Sequence, residues 1–142
     1  MTEEQPGIIC LDASVVVRWL LDTRMSHIES LVKDEIRFVA PSLMRYEVTN
    51  ALYQVAKAGG FTIPTAGELI DVLLTLPIEF VDEVHLHRGA LALAHRYRSG
   101  AAYDAHYVAL ARHLGAELWT ADKRLYNALH PHLDAVRLVE GA

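Results

Sequence analysis

The 142-residue chain contains a single cysteine, Cys10, so no disulfide can form within it. It has no apolar run approaching the ~18 residues that a membrane-spanning helix needs. The first residues, Met1 to Gln5, are acidic and lack the basic and apolar regions of a secretion signal. Together these absences predict a cytoplasmic protein without a membrane segment or an export signal.

Positive charge is also scarce, because 18 acidic residues against 13 Lys and Arg residues give a formal net charge of -5. Nucleic-acid-binding proteins usually carry a basic patch, so this balance argues against a broad nucleic-acid footprint. A bound cation would offset part of the negative charge if several acids share one site. The 52% hydrophobic and 22% charged residues are typical of a globular chain, and the length predicts one domain over residues 1–142.

Short apolar runs alternate with longer segments of helical periodicity, which is typical of α/β proteins with a mostly parallel sheet. Strands are predicted at 8–11, 38–40, 78–81, 117–119 and 136–139. Helices are predicted at 13–21, 26–34, 42–58, from 64 or 65 to 76, 85–97, 103–114 and 123–129. We expect Ser42 to cap the third helix, and Thr65 with Glu68 to form a capping box at the start of the fourth.

Four acidic residues lie where such a sheet can bring them together. Asp12 and Asp122 each follow a predicted strand and precede a predicted helix, while Glu47 and Asp104 lie near helix starts. Each position alone has an ordinary explanation, as an N-cap or as an acid favoured by the helix dipole. If the four converge, their hard oxygen ligands suit Mg²⁺ or Mn²⁺, and such carboxylate sites are typical of phosphodiester chemistry.

Eight histidines raise the question of a zinc site. His85 pairs with His87, and His130 with His132, but no complementary Cys/His set at zinc spacing accompanies either pair. We therefore predict surface histidines. Positively charged residues near the acids are candidate contacts for phosphate groups, and these are Arg18, Arg112, Lys123 and Arg124.

The segments around the acids carry a family resemblance. They are Leu11–Ser14, Glu47–Leu52, Tyr103–Ala111 and Leu118–Leu125. Their order and approximate spacing resemble the PIN-domain family, and within it the VapC-type toxins of bacterial type II toxin–antitoxin pairs. The resemblance implies a single domain with a five-stranded, mostly parallel sheet between two layers of helices. It implies a metal-binding catalytic set made of Asp12, Glu47, Asp104 and Asp122. It also implies three supporting polar residues, Ser14, Asn50 and Thr120.

The resemblance also implies a function, namely Mg²⁺- or Mn²⁺-dependent cleavage of single-stranded RNA segments, inhibition by a small cognate antitoxin, and a homodimer. A non-catalytic PIN-like module that binds protein or RNA remains an alternative. A haloacid dehalogenase-type phosphatase is a weaker alternative, because it needs a second acid two residues after Asp12, where Ser14 stands. A receiver domain is weaker too, because it needs an acid where Leu11 stands. Gly59-Gly60 lacks the Lys-Ser/Thr of a P-loop.

Overall fold

The computed structural model describes residues 7–22, 35–98 and 102–139. Its strands are β1 (Ile8–Leu11), β2 (Arg37–Ala40), β3 (Ile78–Phe80), β4 (Glu117–Thr120) and β5 (Val136–Leu138). Its helices are α1 (Ala13–Leu21), α2 (Leu43–Lys57), α3 (Ile63–Leu73), α4 (Leu86–Arg96), α5 (Tyr103–Leu114) and α6 (Lys123–Leu129). The helix predicted at 26–34 lies outside the described residues.

The five strands form one sheet in the order β3-β2-β1-β4-β5, and every neighbouring pair is parallel. The predicted α/β fold class is thus confirmed, with a sheet that is parallel throughout. The chain builds outward from β1 through β2 and β3 on one side, then returns to add β4 and β5 on the other. The carboxyl ends of β1 and β4 therefore flank the switch point of the topology, where open α/β sheets bind their ligands.

Helices cover both faces of the sheet, because right-handed crossovers in opposite directions place their helices on opposite sides. α1, α2 and α3 pack together as one group, while α4 packs on α5, which contacts β1 and β4. The core between these layers includes Leu11, Phe38, Met44 and Leu110, each almost fully buried. Cys10 is also buried in this core, and burial raises the pKa of its thiol.

Two predicted helix caps are wrong in detail. Ser42 precedes α2, but its side chain makes no capping bond; its hydroxyl and backbone N–H both donate to Asp82. α3 begins at Ile63, and the cap is Thr62, whose hydroxyl accepts from the Thr65 N–H at 3.2 Å. Pro64 explains the shift, because proline lacks an N–H and fits the first turn better than the position before the helix.

α5 has the predicted bounds and ends as expected, at Gly115 in the left-handed conformation with φ of 64°. None of the described helices combines the length and apolar content needed to cross a membrane.

Candidate active site at the carboxyl edge of the sheet

Asp12 lies at the centre of the site, in the first position after β1. Its side chain is 4% exposed and caps α1, with Oδ1 accepting from the backbone N–H groups of Ser14 and Val15. Burial raises its pKa to about 6, although hydrogen bonds from Ser14 and Thr120 act in the opposite direction. Asp12 is therefore both a structural cap and a carboxylate whose charge is costly in the absence of a cation.

A hydroxyl network joins β1 to β4 beneath this carboxylate. The Thr120 hydroxyl donates to Asp12 Oδ2 at 2.6 Å and accepts from the Asp122 N–H at 3.0 Å. The Ser14 hydroxyl donates to Asp12 Oδ1, lies 3.3 Å from the Thr120 hydroxyl and accepts from the Ala121 N–H at 2.9 Å. The ends of the two strands and both aspartates are thus fixed relative to one another.

Asp122 repeats the arrangement of Asp12 at the end of β4. Its Oδ1 accepts from the N–H groups of Arg124 and Leu125 at 2.9 and 3.3 Å, so it caps α6. Unlike Asp12, it is exposed. Because Oδ1 accepts both helix N–H groups, Oδ2 is the oxygen available to a ligand.

Glu47 and Asp104 reach the same edge from helices α2 and α5. Burial, together with the charge of Asp104, raises the pKa of Glu47, and burial together with the charge of Asp122 raises that of Asp104. The charge of Asp104 also acts to raise the pKa of Asp12. Asp104 therefore interacts electrostatically with each of the other three acids, which means that the fold brings the four carboxylates into one cluster.

Tyr107 is a participant to which sequence reasoning assigned no role. Its ring is 1% exposed, and its hydroxyl donates to Glu47 Oε1 at 2.7 Å across 60 residues of sequence. Burial and the Glu47 carboxylate both raise the pKa of the tyrosine, so the hydroxyl stays protonated as a donor. One signal was available, because Tyr107 lies three residues after Asp104 and thus on nearly the same helix face.

The donor set at this edge fits a hard divalent cation. Every candidate ligand is a carboxylate oxygen, and three of the four carboxyl groups have pKa values raised by burial and by neighbouring negative charge. In the described part of the chain, no three of these carboxylates bring their oxygens within 4.8 Å of one another. A shared ion therefore requires the less constrained acids, Glu47 and Asp104, to approach Asp12.

The remaining predicted site residues are all exposed. Asn50 is exposed one turn after Glu47, and its side chain accepts from Gln54 at 3.4 Å. Arg112 is in the last turn of α5, at the opposite end from Asp104. Arg18 lies in the last turn of α1, and Lys123 and Arg124 directly follow Asp122.

Fold and site together define an α/β protein with a carboxylate cluster at the switch point of a parallel sheet. The chain matches the family profile of the PIN domain over residues 10–132. It is 30% identical to Ribonuclease VapC3 of Pyrobaculum aerophilum over 122 residues, which cover 82% of this chain and 91% of that protein. The chain therefore belongs to the PIN-domain family, as the sequence motifs predicted.

Solved structures agree on the fold. A crystal structure from Pyrobaculum aerophilum has a TM-score of 0.67 and 22% identity, covering 87% of each chain. VapBC2 of Rickettsia felis, solved bound to a DNA fragment from its promoter, has a TM-score of 0.68 and 14% identity. That match covers 94% of this chain and 99% of the other. At these identities the two structures bear on the fold alone.

Proposed function

We propose that the chain is a metal-dependent endoribonuclease, the toxin of a type II toxin–antitoxin module, that hydrolyses phosphodiester bonds in single-stranded segments or loops of RNA. The observation that carries the proposal is the four-acid cluster at the switch point, built around a buried Asp12 that two hydroxyl groups orient. The similarity to a ribonuclease of the same family supports RNA as the substrate. Single-stranded loops are the usual targets of proteins that recognise RNA.

In this proposal Asp12 and Asp104 are the chief ligands of Mg²⁺ or Mn²⁺, with Asp122 and Glu47 binding directly or through water. A bound ion of this kind stabilises negative charge on a phosphate oxygen and lowers the pKa of an attacking water. Ser14 and Thr120 keep Asp12 in the orientation needed for binding, because each donates to a different oxygen of its carboxylate.

Glu47 is the candidate proton acceptor for the attacking water. Its raised pKa brings it closer to neutrality than an ordinary glutamate, which suits a general base. The Tyr107 hydroxyl occupies Oε1 and leaves Oε2 for the proton. Asp122 is less suited to this role, because its Oδ1 already accepts two backbone N–H groups.

Lys123, Arg124 and Arg18 are the proposed phosphate contacts. Lys123 and Arg124 are exposed beside Asp122, and Arg18 is exposed on α1, whose first turn is capped by Asp12. A small number of such cations can position an RNA backbone even though the net charge of the chain is negative. Arg112 is a weaker candidate, because it lies eight residues after Asp104 along α5, whereas Arg18 lies six residues after Asp12 along α1.

The proposed protein partners are a cognate antitoxin and a second copy of the chain. Helices α2 and α3 expose large apolar side chains suited to such contacts, namely Tyr46, Tyr53, Ile63 and Val72. An amphipathic antitoxin segment would bind there in the helix-in-groove mode. A basic antitoxin side chain placed among the four acids would then compete with the metal and inhibit cleavage.

The test uses purified, antitoxin-free protein and a pool of end-labelled structured and unstructured RNAs, with Mg²⁺, Mn²⁺ or chelator. We expect metal-dependent cutting that falls by about 10³-fold or more in Asp104→Asn, the scale seen when a catalytic group is removed. Asp134→Asn is the matched control, because Asp134 precedes β5 and thus lies at the amino edge of the sheet. Folded protein that cuts no RNA with either metal would favour the non-catalytic binding module.

A further inference from the structure

A second group of metal-binding side chains lies on the surface between helices α4 and α5. Glu83 belongs to the turn after β3, His85 immediately precedes α4, and His113 is in the last turn of α5. One ligand atom from each residue lies within 4.8 Å of the other two. His85 Nδ1 is 3.7 Å from Glu83 Oε2, and the two imidazole rings are 4.9 Å apart between centroids.

We propose that Glu83, His85 and His113 bind a divalent transition-metal ion of the zinc type. Two imidazoles and one carboxylate are a recurrent zinc ligand set, with the fourth tetrahedral position left to water. Zinc–nitrogen bonds of about 2.0–2.1 Å imply ligand atoms about 3.3 Å apart. The ligand atoms already lie within 4.8 Å of one another, so they need to move closer by at most about 1.5 Å. The exposure of the three side chains permits this rotation.

Ligand chemistry separates this site from the acidic edge of the sheet. Imidazole nitrogen favours zinc and its neighbours in the transition series, whereas a site made only of carboxylates favours Mg²⁺ and Mn²⁺. The chain would therefore distinguish two classes of divalent ion at two places. Sequence spacing did not reveal the zinc site, because His113 approaches His85 only through the packing of α4 on α5.

The neighbouring charges give Glu83 a particular role. The cleft of about 480 Å³ beside the histidines is also lined by Arg96 and Arg112, and their positive charge opposes cation binding. The Glu83 carboxylate is the ligand that offsets this charge. The adjacent imidazoles of His87 and His106 are hydrogen-bonded to each other at 2.9 Å and are not required for the site.

Bound zinc would connect the turn before α4 to the carboxyl end of α5, the helix whose first turn carries Asp104. An ion that binds the folded chain and not the unfolded one raises thermal stability. The proposal thus predicts both binding and a rise in the midpoint of thermal unfolding. Neither readout depends on whether the chain cleaves RNA, so the outcome is independent of the proposed function.

The experiment titrates Zn²⁺ into the full chain, free of any histidine tag, in an Asp104→Asn background with excess Mg²⁺ to suppress binding at the acidic edge. Calorimetry measures affinity, and Co²⁺ in place of Zn²⁺ reports tetrahedral coordination through its visible absorption. We expect one ion per chain. Affinity should fall by at least about tenfold in His85→Ala, in His113→Ala and in Glu83→Gln, the scale on which disturbing a metal site weakens it.

His95→Ala is the matched control, because His95 is an exposed histidine on α4 outside the cluster. It should leave both the affinity and the zinc-dependent rise in unfolding temperature unchanged. In the Asp104→Asn background, zinc binding of equal affinity with and without the added His85→Ala/His113→Ala double substitution would overturn the proposal. The absence of zinc binding by the chain with both histidines intact would also overturn it.

Discussion

The two halves of the candidate active site are built differently. The strand half, Asp12 and Asp122, receives backbone N–H groups from α1 and α6 and is tied together through Thr120. In the helix half, Tyr107 donates to Glu47, and within the described residues no hydrogen bond reaches the Asp104 carboxylate. The strand half is therefore preorganised, and the helix half is left free to approach a ligand.

This contrast has an energetic basis. The capping hydrogen bonds of Asp12 and Asp122 form as part of folding. The same bonds that cap α1 and α6 therefore also fix the orientation of the two carboxylates. Glu47 and Asp104 extend from α2 and α5, and their like charges repel each other. Three experiments test this difference between the two halves, and the one on Asp12 comes first.

The first concerns the proton on Asp12. Its folded-state pKa of about 6 lies above the ordinary 3.8, so the folded state binds this proton more tightly than the unfolded state does. In the absence of metal the free energy of unfolding should therefore fall as pH rises from about 4 to about 6, by up to ~3 kcal/mol. Protons also compete with the metal, so Mn²⁺ affinity should rise about tenfold per pH unit, or ~100-fold in total, over this range.

Denaturant unfolding between pH 4 and 7 in chelator measures the first effect, and Mn²⁺ titration over the same range measures the second. Because other groups titrate too, the diagnostic quantity is the difference between the native chain and Asp12→Asn, in which this proton is absent. Glu47 and Asp104 add pH dependence of the same sign. Identical pH slopes in the native chain and in Asp12→Asn would contradict the assignment of the raised pKa to Asp12.

The second experiment removes the link within the strand half. Thr120→Val keeps the side-chain volume but leaves the Asp122 N–H without its acceptor and Asp12 Oδ2 without its donor. Since Thr120 is fully buried, we expect the free energy of unfolding to fall by about 1–3 kcal/mol. Misorientation of Asp12 should reduce cleavage by about 10- to 100-fold, as is usual when a partner of a metal ligand is lost.

Thr49→Val is the control for this change. The Thr49 hydroxyl donates to the Arg45 carbonyl at 2.7 Å on the exposed face of α2, so its loss tests threonine replacement away from the acids. Native activity and stability in Thr120→Val would mean that the capping bonds and the Ser14 hydroxyl are sufficient to orient Asp12. The preorganisation of the strand half would then not depend on the link between β1 and β4.

Sequence alone predicted the strand half better than the helix half, and for a physical reason. Asp12 and Asp122 follow buried apolar strands, and local pattern places the end of a strand in a parallel sheet. The contact of Tyr107 with Glu47 and that of His85 with His113 arise from packing between elements distant in sequence. No local signal specifies such pairs. The cap at Thr62 was missed for a different reason, since Thr65 offered a competing local pattern.

The third experiment tests the helix half and should give the smallest effect. Tyr107→Phe removes only the hydroxyl that donates to Glu47 and leaves the buried ring in place. We expect the free energy of unfolding to fall by about 0.5–1.5 kcal/mol. Cleavage should fall by no more than about tenfold, because Glu47 keeps its position on α2 and loses only its orientation.

The pH profile distinguishes orientation from simple loss of stability. The Tyr107 hydrogen bond acts to lower the pKa of Glu47, so its removal raises that pKa further. If Glu47 accepts the proton, the acidic limb of the cleavage profile should move to higher pH in Tyr107→Phe. It should not move in Tyr53→Phe, because Tyr53 is a half-exposed tyrosine on α2, the helix that carries Glu47. A loss of activity larger than that of Thr120→Val would reverse the comparison, because the position of Glu47 would then limit the reaction more than that of Asp12.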